Sequence, residues 1–288
     1  MDIITFEKKN ISLPSPIQIL NDELFDEKNI QVFIKRDDLI HSIITGNKWR
    51  KLKDYLLIAQ KEKKKRIITF GGAYSNHVYA LAYACKELNL VLDVIIRGDE
   101  LSIYSNEYLT KVSQWGANLH FISRTAYKDK IIPFEYSTKE VFIIPEGGFS
   151  SIGVNSLIEL STELEKTYSH IFVAVGTGTT LIGLAQHLPN CIIHGVLCLS
   201  NLEEIENNIQ LINSEIQNIV LHDGFISKRY GKKNTELEKF CIQFYSKHRI
   251  LIEPIYTGLL FKSFYELVNQ NYFKSGENIV LIHSGGIK

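Results

Sequence analysis

Ile171-Phe172-Val173-Ala174-Val175-Gly176-Thr177-Gly178-Thr179-Thr180 is the stretch that decides how this chain folds. Five apolar residues without polar alternation read as a strand buried on both faces. Small residues then make a tight turn, and Thr180–Leu188 continues with apolar positions at helical spacing. A strand, a turn and a helix in that order form the repeating unit of a parallel sheet covered by helices. The same alternation recurs on both sides. Ile30–Ile34, Arg66–Phe70, Val91–Ile96, Val141–Ile144, Cys191–Leu199 and Asn278–Ile282 read as further strands. Asn47–Gln60, Asn76–Leu88, Tyr104–Trp115, Ser151–Glu165, Thr235–His248 and Gly258–Asn271 read as helices. The expectation is an α/β protein without internal repeats.

Composition excludes several classes of function. With 288 residues, 45% hydrophobic and 22% charged, the chain has the make-up of a globular protein of one or two domains. Thirty-two basic and 32 acidic residues balance to a net charge of +0, so neither nucleic acid nor an anionic membrane is an expected partner. The run Lys61-Glu62-Lys63-Lys64-Lys65-Arg66 reads as a solvated helix end feeding a strand. No apolar stretch reaches the length of a membrane span, and the first residues, MDIITFEKKN, lack the apolar centre of a signal peptide. The four cysteines, 85, 191, 198 and 241, form no C-x-x-C and sit in apolar runs, as reduced core residues of a cytoplasmic protein would. No metal-ligand spacing and no G-x-S-x-G elbow is present, so neither a metal site nor a serine hydrolase is expected.

Several segments could carry chemistry. The turn at Gly176–Thr180 is either a simple strand–helix connection or a cradle for a phosphate at a helix N-terminus. It lacks the lysine of a Walker A loop, and Leu181 stands where a dinucleotide fingerprint needs its third glycine. Lys48 lies in Thr45-Gly46-Asn47-Lys48-Trp49-Arg50-Lys51-Leu52, where a loop hands over to a helix. The positive end of a helix disfavours a charged amine there, and a neutral amine can attack a carbonyl-bearing cofactor. Ser75 and Asn76, in Gly71-Gly72-Ala73-Tyr74-Ser75-Asn76-His77, read as a helix N-cap that can also present polar groups to a ligand. Tyr230-Gly231 and Tyr256-Thr257-Gly258 place tyrosines in turns, where a phenol packs, stacks on a ring or shuttles a proton. Pro145–Ser151 is a Gly-rich loop after a strand, either a lobe boundary or part of a site. His283-Ser284-Gly285-Gly286 follows the last strand, where ligands bind in such sheets.

Taken together, GNKWRKL, GGAYSNH, VGTGTT, Tyr230-Gly231, EPIYTG and HSGG occur in an order that resembles one family of pyridoxal-phosphate enzymes. That family groups 1-aminocyclopropane-1-carboxylate deaminase with D-cysteine desulfhydrase. The resemblance spans roughly residues 12 to 286. It implies the fold of the tryptophan synthase β subunit (fold type II), with two open, twisted, mostly parallel sheets flanked by helices. It further implies a large cofactor-binding domain of residues 1–50 and 151–288, a smaller domain of 51–150, and an active site in the cleft between them.

The resemblance also implies roles. Lys48 would be the Schiff-base lysine, and Lys51 would reach the cofactor phosphate. Asn76 would bond the ring oxygen, and Thr177, Gly178, Thr179 and Thr180 would bind the phosphate. Ser75 would face the substrate carboxylate or the reacting carbons. Tyr230 and Tyr256 would flank the substrate, Tyr256 beside the ring, and Ser284 would stand by the pyridine nitrogen. The deaminase branch carries Glu where this chain has Thr257, and Leu where it has Ser284. A hydroxyl opposite the pyridine nitrogen makes the cofactor a weaker electron sink, which suits loss of a good leaving group better than opening a cyclopropane. The implied activity is therefore β-elimination from a small amino acid, foremost D-cysteine, to pyruvate, sulfide and ammonia. The alternatives are 1-aminocyclopropane-1-carboxylate deamination, another lyase reaction of this fold, or a non-catalytic carrier of the cofactor. A homodimer is implied as well. Tyr74 stands where the family commonly has Gln and Tyr79 where it has Arg, a pair of changes that would reshape the substrate pocket.

Overall fold

The structure, a computed structural model, describes residues 1–129, 140–164, 168–223 and 234–286; Tyr230 lies outside them. The strands among these residues are β1 Ile17–Ile19, β2 Gln31–Lys35, β3 Arg66–Gly71, β4 Val91–Arg97, β5 Asn118–Ile122, β6 Val141–Ile144, β7 His170–Val175, β8 Ile192–Leu197, β9 Ile219–His222 and β10 Asn278–Ile282. The helices are α1 Ile3–Asn10, α2 Glu23–Glu27, α3 Lys48–Lys61, α4 Asn76–Leu88, α5 Glu107–Gln114, α6 Arg124–Lys128, α7 Ser151–Asn155, α8 Ile158–Thr162, α9 Thr179–His187, α10 Leu202–Asn213, α11 Thr235–His248 and α12 Thr257–Asn269.

Two compact units result. The first comprises Met1–Ser12, His41–Ile44 and Lys48–Gly153, and the second Leu13–Ile40, Thr45–Asn47 and Val154–Lys288. The start of the chain thus lies with the smaller unit and not, as expected above, with residues 151–288. Local contacts explain this. Phe6 on α1 packs its ring 5.1 Å from that of Trp49, Glu7 pairs with Lys53 at 2.8 Å, and Gln60 accepts a hydrogen bond from the Ile3 N–H. The expected helix over 151–165 is instead two short ones, α7 and α8, with Val154 and Leu157 pressed against Gly183 of α9.

The first unit holds a parallel sheet in the order β5-β4-β3-β6. Its inner strands bury Ile67, Ile68, Phe70, Val94, Ile95 and Ile96, as the unbroken apolar runs require. The second unit holds the order β1-β2-β10-β7-β8-β9, parallel throughout except for the antiparallel edge strand β1. Its core is built from Ile34, Phe172, Val196, Phe261, Phe264, Ile279 and Leu281, among others. Each such side chain contributes about 1.5–3 kcal/mol by leaving water.

Both sheets reverse direction once. In the first, β3, β4 and β5 step outward one way while β6 pairs on the other side of β3. In the second, β7, β8 and β9 step one way while β10 pairs on the other side of β7. Ligands in open α/β sheets bind at the carboxyl ends of strands beside such a reversal. The loops so singled out are Gly72–Ser75 and Pro145–Phe149 in one unit, and Gly176–Gly178 and His283–Gly286 in the other. They are the loops that the motifs had marked.

The second sheet carries one unusual polar feature. His170 on β7, His194 on β8 and His222 on β9 are hydrogen-bonded in sequence at 2.9 Å each, and His170 meets Glu277 at 3.1 Å. His194 is fully buried and stacks on Phe172 at 4.2 Å.

Candidate active site

In the second unit, the loop after β7 is shaped for an anion. Gly178 has φ +83 and precedes α9 without any side-chain cap, so the first-turn N–H groups of that helix lack the usual partner. The Gly176 carbonyl accepts from the Asn201 amide at 2.9 Å and the Thr177 carbonyl from Asn208 at 3.2 Å. A peptide's N–H points opposite to its C=O. The N–H groups of Thr177 and Gly178 are therefore turned away from these asparagines. Thr177 and Thr179 bond each other through their hydroxyls at 3.0 Å. The Thr180 hydroxyl accepts from Asn47 Nδ2 at 2.7 Å, which leaves its hydrogen to donate. Backbone and hydroxyl donors at a helix start make a good phosphate cradle.

Two further segments meet this loop. A Cβ on Gly176 would lie 3.7 Å from the Tyr256 ring, so that phenol stands beside the cradle. Gly46, at φ +66, runs so close to the HSGG turn that a Cβ there would fall 1.6 Å from the Ser284 carbonyl oxygen. Gly46 is thus the one residue type that lets Asn47 reach Thr180 while Ser284 stays buried at the end of β10. Lys48 follows Asn47 directly and opens α3.

The first unit gathers basic groups. Lys51, one turn into α3, is buried with its stem under Gly148, and burial together with the charge on Lys48 holds its amine well below the usual lysine range. His77 on α4 is also buried. Its pKa is lowered to about 3 by burial first, then by the charges of Lys51 and Lys48. Thr69 donates its hydroxyl to the Ile144 carbonyl at 2.8 Å and meets His77 Nε2 at 2.9 Å, so the neutral ring carries its hydrogen on Nε2. Ser75 caps α4 by accepting from Val78 N–H, and Asn76 is the first helical residue, half-buried. Ser75 therefore is the N-cap that its sequence context suggested. Lysines 48 and 51 with a neutral histidine form a cluster that gains from a bound anion.

The site also contains residues to which sequence reasoning gave no role. Asn47 was quoted only as part of a motif. Glu253 is the larger omission: its carboxylate accepts from the backbone N–H groups of Ile255 at 2.7 Å, Tyr256 at 2.8 Å and Thr257 at 2.8 Å. Its own N–H donates to the Thr257 hydroxyl at 3.0 Å, and its carbonyl accepts from Gly258 N–H at 2.7 Å. A carboxylate a few residues before a helix start was the available signal.

The donors of each unit, taken by itself, fit pyridoxal phosphate on this chemistry: in the second unit an uncapped helix start lined by threonines suits a phosphate, and in the first the lysine amines suit an aldehyde. Comparison with known proteins agrees. The family model described as pyridoxal-phosphate dependent enzyme matches residues 14–285. A protein of Pyrococcus horikoshii, provisionally named a 1-aminocyclopropane-1-carboxylate deaminase, is 31% identical over 95% of this chain and 89% of its own length. The bifunctional D-cysteine desulfhydrase/1-aminocyclopropane-1-carboxylate deaminase of Arabidopsis thaliana is 27% identical over 89% of this chain and 72% of its own. A crystal structure described as an ACC deaminase homologue superposes with a TM-score of 0.78 at 26% identity, covering 99% of this chain and 95% of that one. The chain belongs to the pyridoxal-phosphate-dependent enzymes of the 1-aminocyclopropane-1-carboxylate deaminase and D-cysteine desulfhydrase family, lyases with the fold of the tryptophan synthase β subunit.

Proposed function

We propose that the protein catalyses β-elimination from D-cysteine, yielding pyruvate, sulfide and ammonia. The observation that supports this over ring opening is the engagement of Thr257. Position 257 carries Thr where the resemblance gives the ring-opening branch a Glu, and this Thr is fully buried with its hydroxyl engaged by Glu253. Ser284, buried just after β10, is the hydroxyl that the resemblance would set by the pyridine nitrogen, which supports the same reading.

Bound pyridoxal phosphate supplies an aldehyde for the substrate amine and a sink for the electron pair left at Cα. The chain's own residues do the rest. The threonine loop grips the phosphate, with Lys51 adding charge. The Lys48 amine would accept the Cα proton of the bound substrate. The Cα–H electron pair then forms the Cα–Cβ double bond as the Cβ–S bond breaks, and sulfide leaves with a proton donated by a tyrosine hydroxyl or water. The enamine product hydrolyses to pyruvate and ammonia. Ser75 and Asn76 orient substrate and ring at the start of α4.

The test is an assay of sulfide, pyruvate and 2-oxobutyrate from D-cysteine, L-cysteine, D-serine and 1-aminocyclopropane-1-carboxylate. Sulfide and pyruvate in equal amounts from D-cysteine are expected. Turnover of the cyclopropane substrate to 2-oxobutyrate, with D-cysteine inert, would refute the assignment. Lys48→Ala should lose the borohydride-reducible link between cofactor and protein. A variant that keeps this link would remove Lys48 from its role.

A further inference from the structure

We propose that Glu253 is the positioning residue for Tyr256, its carboxylate fixing the turn that sets the phenol beside the phosphate loop. The proposal rests on the reading that Tyr256 flanks the cofactor.

Three features carry it. The segment Glu253–Gly258 is wound around one side chain. Both carboxylate oxygens accept backbone N–H groups, Oε2 from Ile255 and Oε1 from Tyr256 and Thr257. Tyr256 sits at the N-cap position of α12, at φ −114 and ψ −67, and makes no side-chain cap bond of its own. Glu253 therefore does from three residues upstream what Ser or Asp does at an ordinary helix start. The same side chain also touches the other segment of interest. A Cβ on Gly286 would fall 2.3 Å from Glu253 Cγ and 3.2 Å from Oε1, so the turn after Ser284 is seated on Glu253. One carboxylate thus fixes the backbone of Tyr256 and buttresses the backbone following Ser284. Burial pushes the Glu253 carboxyl above its usual range, while the N–H groups of Thr257, Ile255 and Tyr256 pull it back toward the ionised form. Every backbone donor around it favours the carboxylate.

The neighbouring glycine agrees with this arrangement. Gly258 admits no side chain, because a Cβ would meet Cys241 Sγ at 2.5 Å and the Glu253 carbonyl at 2.8 Å. The turn is closed from outside as well as held from within by the Glu253 side chain.

The test is a double-mutant cycle on the full chain with Glu253→Gln, Tyr256→Phe and their combination, and Glu253→Asp as the conservative variant. The apo-proteins are titrated with pyridoxal 5′-phosphate by fluorescence quenching, and the absorbance maximum of the bound cofactor is recorded. Steady-state kcat and KM with D-cysteine are measured alongside, and circular dichroism reports folding. Glu253→Gln should weaken cofactor binding by roughly tenfold, as loss of charge-assisted hydrogen bonds predicts, and should shift the absorbance maximum. Glu253→Asp should restore part of both. The double variant should lose less than the product of the two single effects, because Glu253 acts in part through the Tyr256 phenol. Multiplying effects, or a folded Glu253→Gln protein with wild-type affinity and spectrum, would overturn the proposal. Should Glu253→Gln fail to fold, the Asp variant decides by the same cycle. Failure of both to fold marks Glu253 as a general core residue and equally overturns it. Failure of the underlying reading looks different: Tyr256→Phe alone would then leave affinity, spectrum and kcat unchanged.

Discussion

Lys51 carries a consequence that its neighbours do not. A buried amine held below its ordinary pKa gains a proton when an anion arrives beside it. If that anion is the cofactor phosphate, binding takes up a proton, and affinity must fall as pH rises toward the pKa of the loaded site. Titrating the apo-protein with pyridoxal 5′-phosphate at increasing pH should show that decline. Lys51→Ala should abolish the pH dependence and weaken binding by about 1.5–3 kcal/mol. A variant with unchanged affinity and slope would place the phosphate elsewhere. Lys48 was singled out in the sequence because a helix start is a local fact, whereas Lys51 was named only through the family resemblance. Glu253 and His77 were not assigned roles, although both lie inside motifs that were noticed. Glu253 accepts mainly from backbone N–H groups of its own turn, so the one sequence signal was a carboxylate just before a helix start. A histidine tuned by two lysines far from it in sequence depends on the sheet that brings α3 and α4 together.

At the scale of elements, the inner strands and the helices with a clear apolar face were readable, whereas α1, α2, α6 and α10 were not singled out. Val141–Ile144, Asn278–Ile282, Asn76–Leu88 and Thr235–His248 agree with the sequence reading end to end. The edge strands β1, β5 and β9 were missed. Each is short, and all three are partly exposed, so neither a continuous apolar run nor clean alternation marks them. Helix starts and glycine turns give separate tests. Ser75→Ala removes the α4 cap and should cost about 1 kcal/mol in urea unfolding. Gly46→Ala should be far worse than Gly116→Ala. Both positions have positive φ, but only at Gly46 would a Cβ overlap backbone. Gly116→Ala should cost about 1 kcal/mol from backbone strain alone, whereas Gly46→Ala should prevent native packing of the HSGG turn. Equal thermal midpoints for the two variants would contradict the close approach.

Across the whole molecule, acid is the expected weakness. Burial depresses both His77 and His194, to about 3 and about 2 respectively. A histidine whose folded pKa lies below its unfolded value stays neutral in the fold but protonates on unfolding. Its contribution is therefore complete above about pH 6.5 and is lost as pH falls toward the folded pKa, by about 1.4 kcal/mol per pH unit for each ring. Urea unfolding at pH 7.5 and 5 should show that loss. His194→Phe should reduce the difference by one ring's share while lowering stability at pH 7.5, because it strips His170 and His222 of a partner. Glu277 adds a sense of direction to this row. A carboxylate only accepts, so with all three rings neutral His170 gives it the Nε2 hydrogen, His194 gives its own to His170 Nδ1, and His222 gives its own to His194 Nδ1. The three imidazole dipoles then add head to tail, like compass needles set by a single magnet. Nitrogen NMR should find all three rings in one tautomer, and replacing Glu277 by Gln should free them to point either way.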